Sequence, residues 1–511
     1  FGGCKFQVTG STAAFVVVLA PILVKHGLAG LLTAGFLAGV ILIVMGFAGM
    51  GSWIQYIPHP VTSGFTAGIA AVIATLQIKD VLGLQTGALP EHYVDKLAAM
   101  WQARGTARPA ELAVAAAALA IILFFPRITK RIPSALVAIT VVGIASAVLQ
   151  RVWPGFHVDT IGTRFHTVID GVQVAGIPSR IPSPGFPWGS GLPSFELIRE
   201  LFPAAFAIAM LGAIESLLSA VIADGMTNTK HEPNSELVAL GIGNLAAPIF
   251  GGIAATGALA RTGVNIRAGA RSPFAAVTHS VFVLVSMLVL APLLAYVPMA
   301  ALSGLLLVVA WNMSEVRTVS ETLRVAPKSD NLVLITCFLL TVFFDMVVAV
   351  SVGFVLAAVM FMRRMSELTE SRIQLDRSVD GAVQVLPRGV VIYEINGPLF
   401  FGAAQKAMRL LDELAPNDFR VLIVHLGRVP VIDATGLLAL RGALEAMLRT
   451  HRQVVLAGPL PKPRSIFQRA DLERRYEGKV FIRDDEDAAL ELATTLAAAS
   501  LAPAAPQRAL G

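Results

Sequence analysis

Residues 1 to about 366 are a succession of long apolar runs, and no other feature narrows the possible folds so far. A helix needs about 20 apolar residues to cross a hydrocarbon core. Candidate runs lie near 9–22, 28–50, 61–84, 109–126, 133–150, 197–223, 235–250, 256–268, 272–296, 298–313, 329–345 and 346–363. From about residue 367 the composition becomes that of an ordinary soluble domain. Over the whole chain only 14% of residues are charged, against roughly a quarter in soluble proteins. The expectation is a polytopic α-helical membrane domain over 1–366, a linker over 367–385, a soluble domain over 386–495 and a disordered Ala/Pro tail over 496–511.

Two runs, 9–22 and 256–268, are too short to cross alone, and both carry one phrase. "GGCKFQVTGSTA" begins at residue 2 and "GGIAATGALA" at residue 251. Gly-Gly is followed by Thr9-Gly10 and Ala13 in the first, and by Thr256-Gly257 and Ala260 in the second. A second pair, "YIPHPVTSG" at 56–64 and "YVPMAALSG" at 296–304, repeats Tyr, Pro, Ser and Gly at identical spacing. Short, Gly-interrupted segments at corresponding places in two halves mark the binding site of an inverted-repeat transporter. Small residues recur in any packed bundle, which explains the composition of these phrases but not their shared spacing.

Basic residues place the connections. Arg127, Lys130 and Arg131, then Arg267 and Arg271, then Arg317, Arg324 and Lys328, and finally Arg363 and Arg364 mark cytoplasmic sides. The basic excess of +6 lies between apolar runs, so it fits loop bias rather than nucleic-acid binding. The connection near 51–57 conflicts mildly, because it should be cytoplasmic yet lacks Lys and Arg. Cys4 and Cys337 offer neither a disulfide scaffold nor metal-ligand spacing. The nine His residues form no cluster. No nucleophile–base or metal constellation appears, so an enzyme is not expected and no cofactor or metal is called for.

"QVTGSTAAFVVVLAP", "GAIESLLSAVIADGMTNTKHEPNSEL" and "TGALARTGVNIRAGARSP" resemble the third, eighth and tenth membrane segments of the SulP anion transporters, solute carrier family 26. "GVVIYEINGPLFFGAAQKA" with "VIDATGLLAL" resembles their C-terminal STAS domain. The resemblance implies fourteen segments in two inverted repeats of seven, a homodimer, and anion transport by alternating access. If the first phrase belongs to a third segment, the first two segments are missing. The chain is then expected to be a fragment, the alternative being a natural variant with a shortened first repeat. Ser11 stands where the family usually has Pro, a good helix starter, so the entry of the first half-helix should shift slightly.

The site follows from helix ends. A helix N-terminus exposes unpaired N–H groups and about half a positive charge. Residues Gln7–Ala13 and Ala255–Thr262 would bring two such ends face to face, with Gly10 and Gly257 allowing close approach. Gln7, Thr9, Gly10, Thr12, Thr256, Gly257, Ala258 and Arg261 are the expected substrate-binding residues, for a small inorganic or carboxylate anion. Arg261 adds planar donors suited to an oxyanion, or else pairs with an acidic residue or reaches toward an aqueous surface. Glu215 sits in "FAIAMLGAIESLLSAVIA", where a charge costs about 2.5–3.5 kcal/mol at a helix centre. It is either a proton-coupling carboxylate, the role the resemblance implies at this position, or a group held by neighbouring N–H donors or by Arg261. Ser216 and Ser219 read as packing residues. Asp224 and Asp345 lie at span ends, where charge is cheap, and are assigned no role.

In the soluble part "VVIYEI", "VLIVHL", "QVVLAG" and "KVFIRD" read as strands and the segments after each as helices, an α/β layer. STAS domains of the anti-sigma-antagonist type carry a phosphorylatable serine after the Asp of "DATG"; here Ala434 stands there. Asp433 is expected to cap the helix, and Thr435 is a poor substitute for that serine. Three functions compete: a proton-coupled anion symporter, an uncoupled anion exchanger or channel on the same scaffold, and a nucleobase permease. The STAS domain and Arg261 argue against the last. A multi-pass location in the inner (plasma) membrane, with the STAS domain in the cytoplasm, goes with all three.

Overall fold

The computed structural model describes residues 2–501 apart from 55, 57, 88, 91, 130, 170–171, 190, 192, 345, 368, 375, 380–381, 401–403, 405–406 and 408–418. Asp345, Lys130 and most of the helix expected at 402–414 therefore lie outside the described residues, as does the tail from 502. The chain divides into two compact units, Phe1–Ala357 and Ala358–Gly511.

The first unit opens with a two-residue strand, β1 (Thr9–Gly10), followed by α1 (Ala13–Phe47), the short α2 (Gly51–Ile54) and α3 (His59–Val81). The helix α4 (Tyr93–Gln102) precedes α5 (Pro109–Phe124) and α6 (Ser134–Val152). The next connection holds α7 (Ile161–Arg164) and a hairpin of β2 (His166–Ile169) and β3 (Val172–Ala175). The second half follows with α8 (Phe195–Thr227), α9 (Pro233–Ile249), β4 (Thr256–Gly257), α10 (Leu259–Arg267) and α11 (Phe274–Leu294). It continues with α12 (Met299–Met313), α13 (Val316–Val325), α14 (Lys328–Phe343) and α15 (Met346–Glu367), the last running past the boundary of the unit at Ala357.

Each apolar run of the sequence is helical over most of its described residues. Among the described residues, seven helical stretches are long and apolar enough to cross a membrane by length and composition. The runs at 9–22 and 28–50 join into α1, broken only at Gly27, which has φ 67 and ψ −175. That positive φ is open to glycine and costly for other residues, so one residue separates the half-helix from the full span. The large exposed side chains of α11, among them Val281, Phe282, Val289 and Leu293, make a surface that only lipid or another apolar partner would cover.

Both halves start corresponding helices in the same way. Pro58 and Pro298 are the extended N-caps of α3 and α12. Each helix then turns the Gly of its "SG" pair onto a helix of the opposite half. A Cβ on Gly64 would overlap the Leu334 carbonyl of α14, and one on Gly304 would lie 3.2 Å from the Ala115 carbonyl of α5. The reciprocal crossing α3–α14 and α12–α5 is the packing an inverted repeat requires. Against it, α1 lies along α8 and α9 with Phe15, Leu42, Ile208, Leu211 and Leu237 in the core. Gly39 of α1 and Gly241 of α9 face each other so closely that a Cβ on either would reach the other's carbonyl, at 2.8 and 2.7 Å.

The second unit is a five-stranded sheet with order β11-β10-β9-β8-β5. The strands are β5 (Glu370–Gln374), β8 (Val390–Asn396), β9 (Val421–Arg428), β10 (Gln453–Ala457) and β11 (Val480–Arg483), and a separate hairpin joins β6 (Asp376–Val379) to β7 (Ala382–Val385). Strands β8 to β11 are parallel and β5 is antiparallel at the edge. The helices are α16 (Ala434–Arg449), α17 (Pro461–Arg469), α18 (Leu472–Arg475) and α19 (Glu486–Leu501). Alternate residues of each strand serve opposite faces. Val391, Tyr393 and Ile395 pack with Leu440, Leu444 and Met447 of α16, while Ile392, Ile423 and Val455 pack with Ala489, Ala493 and Ala497 of α19. The expected linker over 367–385 is corrected here: residues 370–374 add a fifth strand. Its "ESRIQ" is too polar to announce itself, because an edge strand is paired on one side only.

Candidate functional site

The two copies of the Thr-Gly phrase meet. β1 and β4 pair antiparallel, Thr9 opposite Gly257 and Gly10 opposite Thr256. The pairing leads directly into the starts of α1 and α10. Their N-caps, Thr12 and Ala258, are extended and make no side-chain cap bond. Asn244 of α9 secures the second copy from behind: its Oδ1 accepts the Ala255 N–H at 2.8 Å and its Nδ2 donates to the Ala255 carbonyl at 2.9 Å.

The expected binding residues separate into two groups. Thr9 is exposed, Gly10, Thr12, Arg261 and Glu215 are half-buried, and these surround the open side of the ribbon. Gln7, Thr256, Gly257 and Ala258 are buried behind it. The Thr256 hydroxyl donates to the Gly212 carbonyl of α8 at 2.8 Å. The Gln7 amide donates to Ser216 Oγ at 2.8 Å and to the Ser216 carbonyl at 3.2 Å. The Ala258 N–H donates to the Val8 carbonyl at 2.8 Å. The donors of Gln7, Thr256 and Ala258 are here spent on fastening the ribbon to α8 or to itself. The exposed first turn of α10, Leu259 and Ala260, is what remains at the second helix end.

On the open side Thr12 Oγ1 donates to Glu215 Oε2 at 3.0 Å. Arg261 Nη2 donates to the Ser11 carbonyl, and its guanidinium lies over Gly10, where a Cβ would come within 2.5 Å of Nη1. Arg261 thus leans across from the second half onto the first without bonding Glu215. Ser11 uses the hydroxyl that the family's Pro would lack to reach the Ala254 carbonyl at 3.2 Å. The two half-helices are tied to each other at their starts.

Four contributors escaped sequence reasoning. Ser216 and Ser219 are hydrogen-bonded junctions rather than packing residues; Ser219 Oγ donates to Thr262 Oγ1 at 3.2 Å, which also accepts the Val8 N–H at 3.1 Å. Glu236 is buried and accepts from Ser216 Oγ at 3.2 Å and from the Cys4 N–H at 3.0 Å. Asn244 was hidden in an apolar run. The available signal was the polar residues themselves, Glu236 and Asn244 on α9, facing the Thr-Gly phrases. Asp224, given no role, closes the α8–α9 turn by accepting from the His231 N–H at 2.9 Å and pairing with its ring. In the second unit Asp433 caps α16, accepting the Gly436 N–H at 2.6 Å; Thr435 is exposed on its first turn.

The sulfate permease family matches residues 1–337 and the STAS domain matches residues 383–489. The chain is 37% identical over 95% of its length to YvdB of Bacillus subtilis, provisionally named a sulfate transporter, and covers 88% of that protein. It is 30% identical to the bicarbonate transporter BicA of Picosynechococcus, over 96% of this chain and 86% of BicA. Among solved structures, the murine Slc26a9 anion transporter in its inward-facing state superposes with a TM-score of 0.81 at 19% identity, covering 97% of this chain and 84% of that one. The transmembrane domain of a cyanobacterial BicA superposes with a TM-score of 0.56 at 29% identity, covering 70% and 85%. A family match across two thirds of the chain, joined to a STAS domain and a ribbon pairing two helix starts, establishes that the protein belongs to the sulfate permease (SulP, solute carrier 26) family of anion transporters.

Proposed function

We propose that the protein carries a small anion together with a proton by alternating access, the anion being held between the starts of α1 and α10. The observation that supports this most is the Thr12–Glu215 hydrogen bond of 3.0 Å. Thr12 is the N-cap of the first half-helix, yet its hydroxyl serves a carboxylate instead of the helix. Ionised, Glu215 lies by the positive helix end, where an incoming anion would also lie. The two negative charges repel, and a proton on Glu215 removes the conflict. Anion and proton therefore load together. After both leave, the ionised carboxylate again satisfies the helix end, so the empty carrier does not need a substitute anion. Thr9, Gly10 and Arg261 complete the site, with Arg261 supplying planar donors.

The names of YvdB and BicA point to sulfate and bicarbonate as the first substrates to test, and both are oxyanions that suit a guanidinium. The carrier works as a homodimer, with the STAS domain in the cytoplasm. Uptake into proteoliposomes, with and without an inward proton gradient, tests the reading across sulfate, bicarbonate, chloride and a dicarboxylate. The parent should respond to the gradient. Glu215→Gln, a fixed mimic of the protonated form, should retain anion exchange and lose that response. Uptake by Glu215→Gln that still rises with the gradient as in the parent would favour an uncoupled exchanger or channel. Arg261→Ala should weaken anion binding about tenfold or more at every pH, since what is lost is a charge-assisted bond to the anion.

A further inference from the structure

The geometry points to Glu236 as a positioning residue of the anion site, acting through Ser216 and Gln7 without touching the anion. This rests on the reading that places the anion at the ribbon. An acidic residue in the first turn of a helix ordinarily serves its own helix end from the solvent side. Glu236 occupies the first turn of α9 but is only 4% exposed. Its carboxylate reaches away from its helix. Oε2 accepts the Cys4 N–H at 3.0 Å, and Oε1 accepts the Ser216 hydroxyl at 3.2 Å.

The connection continues. Ser216 Oγ accepts the Gln7 amide at 2.8 Å. That amide ends against Gly257 of β4, where a Cβ would overlap it. One buried carboxylate thereby grips the segment leading into β1, the middle of α8 and, through Gln7, the strand that leads into α10. Ser216 directly follows Glu215, so the same grip sets how α8 is turned and hence the reach of Glu215 to Thr12. All members are buried. Bonds to an ionised acceptor are about twice as strong as neutral ones, and deleting one partner strands the other without water.

The test measures anion exchange in proteoliposomes for Glu236→Gln, Ser216→Ala, Gln7→Ala and the Glu236→Gln/Gln7→Ala double variant, each purified and monodisperse. Each single change should raise the half-saturating anion concentration about tenfold, with a much smaller change in the rate at saturation. The double variant should be no worse than the worse single one, because both changes break one connected network. Glu236→Asp, which keeps the charge, should recover part of the loss. An unchanged half-saturation in folded Glu236→Gln, or losses that simply multiply, would overturn the role. If Glu236→Gln does not fold, the Ser216→Ala and Gln7→Ala pair decides by the same comparison. The two readings fail separately. An Arg261→Ala variant with unaltered affinity removes the anion from the ribbon and takes this inference with it. Multiplied losses alongside an Arg261-dependent affinity remove only the role of Glu236.

Discussion

Thr9 and Thr256 hold the same place in the repeated phrase, yet one is exposed and the other has no accessible surface. The difference comes from α8, which covers β4 and takes the Thr256 hydroxyl at the Gly212 carbonyl. The glycines differ in the same way. A Cβ on Gly257 would overlap the Gln7 amide and stand 2.9 Å from the Ser216 Cα, whereas one on Gly10 would meet only the end of the Arg261 side chain. Gly257→Ala should therefore destabilise the protein by about 1–3 kcal/mol, the usual cost of overpacking, and abolish measurable anion binding. Gly10→Ala should leave the fold near the parent and weaken binding by displacing Arg261. Thermal unfolding of the purified variants, read beside anion titration, checks both. Equal melting temperatures for the two would contradict the assigned packing.

At the scale of elements, α1 shows how two glycines can carry opposite burdens. Gly27 breaks the helix with φ 67 and has open space around its Cα. Gly39 sits in a regular stretch pressed against the backbone of α9, 2.8 Å from the Leu245 N for an added Cβ. Gly27→Ala should cost about 1–3 kcal/mol, the strain of an alanine in a backbone region essentially reserved for glycine, and slow transport by stiffening the junction between half-helix and span. Gly39→Ala should cost more, because neither backbone can yield without separating α1 from α9. Circular dichroism melts in detergent rank the two; a more stable Gly39→Ala than Gly27→Ala would show that α1 and α9 cross with room for a methyl group. The break at Gly27 was partly legible, since the sequence placed two runs with a gap at 23–27, although nothing local distinguished a kink from a loop.

The whole molecule consists of two units with separate cores, the helical one around Phe15, Leu42 and Leu211 and the α/β one around Tyr393, Leu422 and Met447. No residue of the ribbon comes from the second unit. A chain ending after residue 367 should bind anion within about threefold of the parent and transport it more slowly, the expected outcome if the STAS domain serves regulation or assembly. Isothermal titration and proteoliposome uptake on the same preparation separate binding from turnover. Loss of binding by a well-folded truncated protein would contradict the independence of the site.

The sequence alone determined the class of fold, the apolar spans, the repeat and the two phrases that meet, because apolar length and spacing are properties of neighbouring residues. It also singled out Glu215 and Arg261, since ionisable groups in apolar runs are costly wherever they point. It could not decide which groups of the phrases remain available to a ligand. The donors of Gln7, Thr256 and Ala258 are open in sequence, but α8 and the Val8 carbonyl take them. Nor could it show that Ser216, Glu236 and Asn244, spread over 29 positions, converge behind the ribbon. Hydrogen-bond satisfaction is set by what lies across a gap of about 3 Å, and only the tertiary structure brings residues 7, 216 and 236 to within that distance.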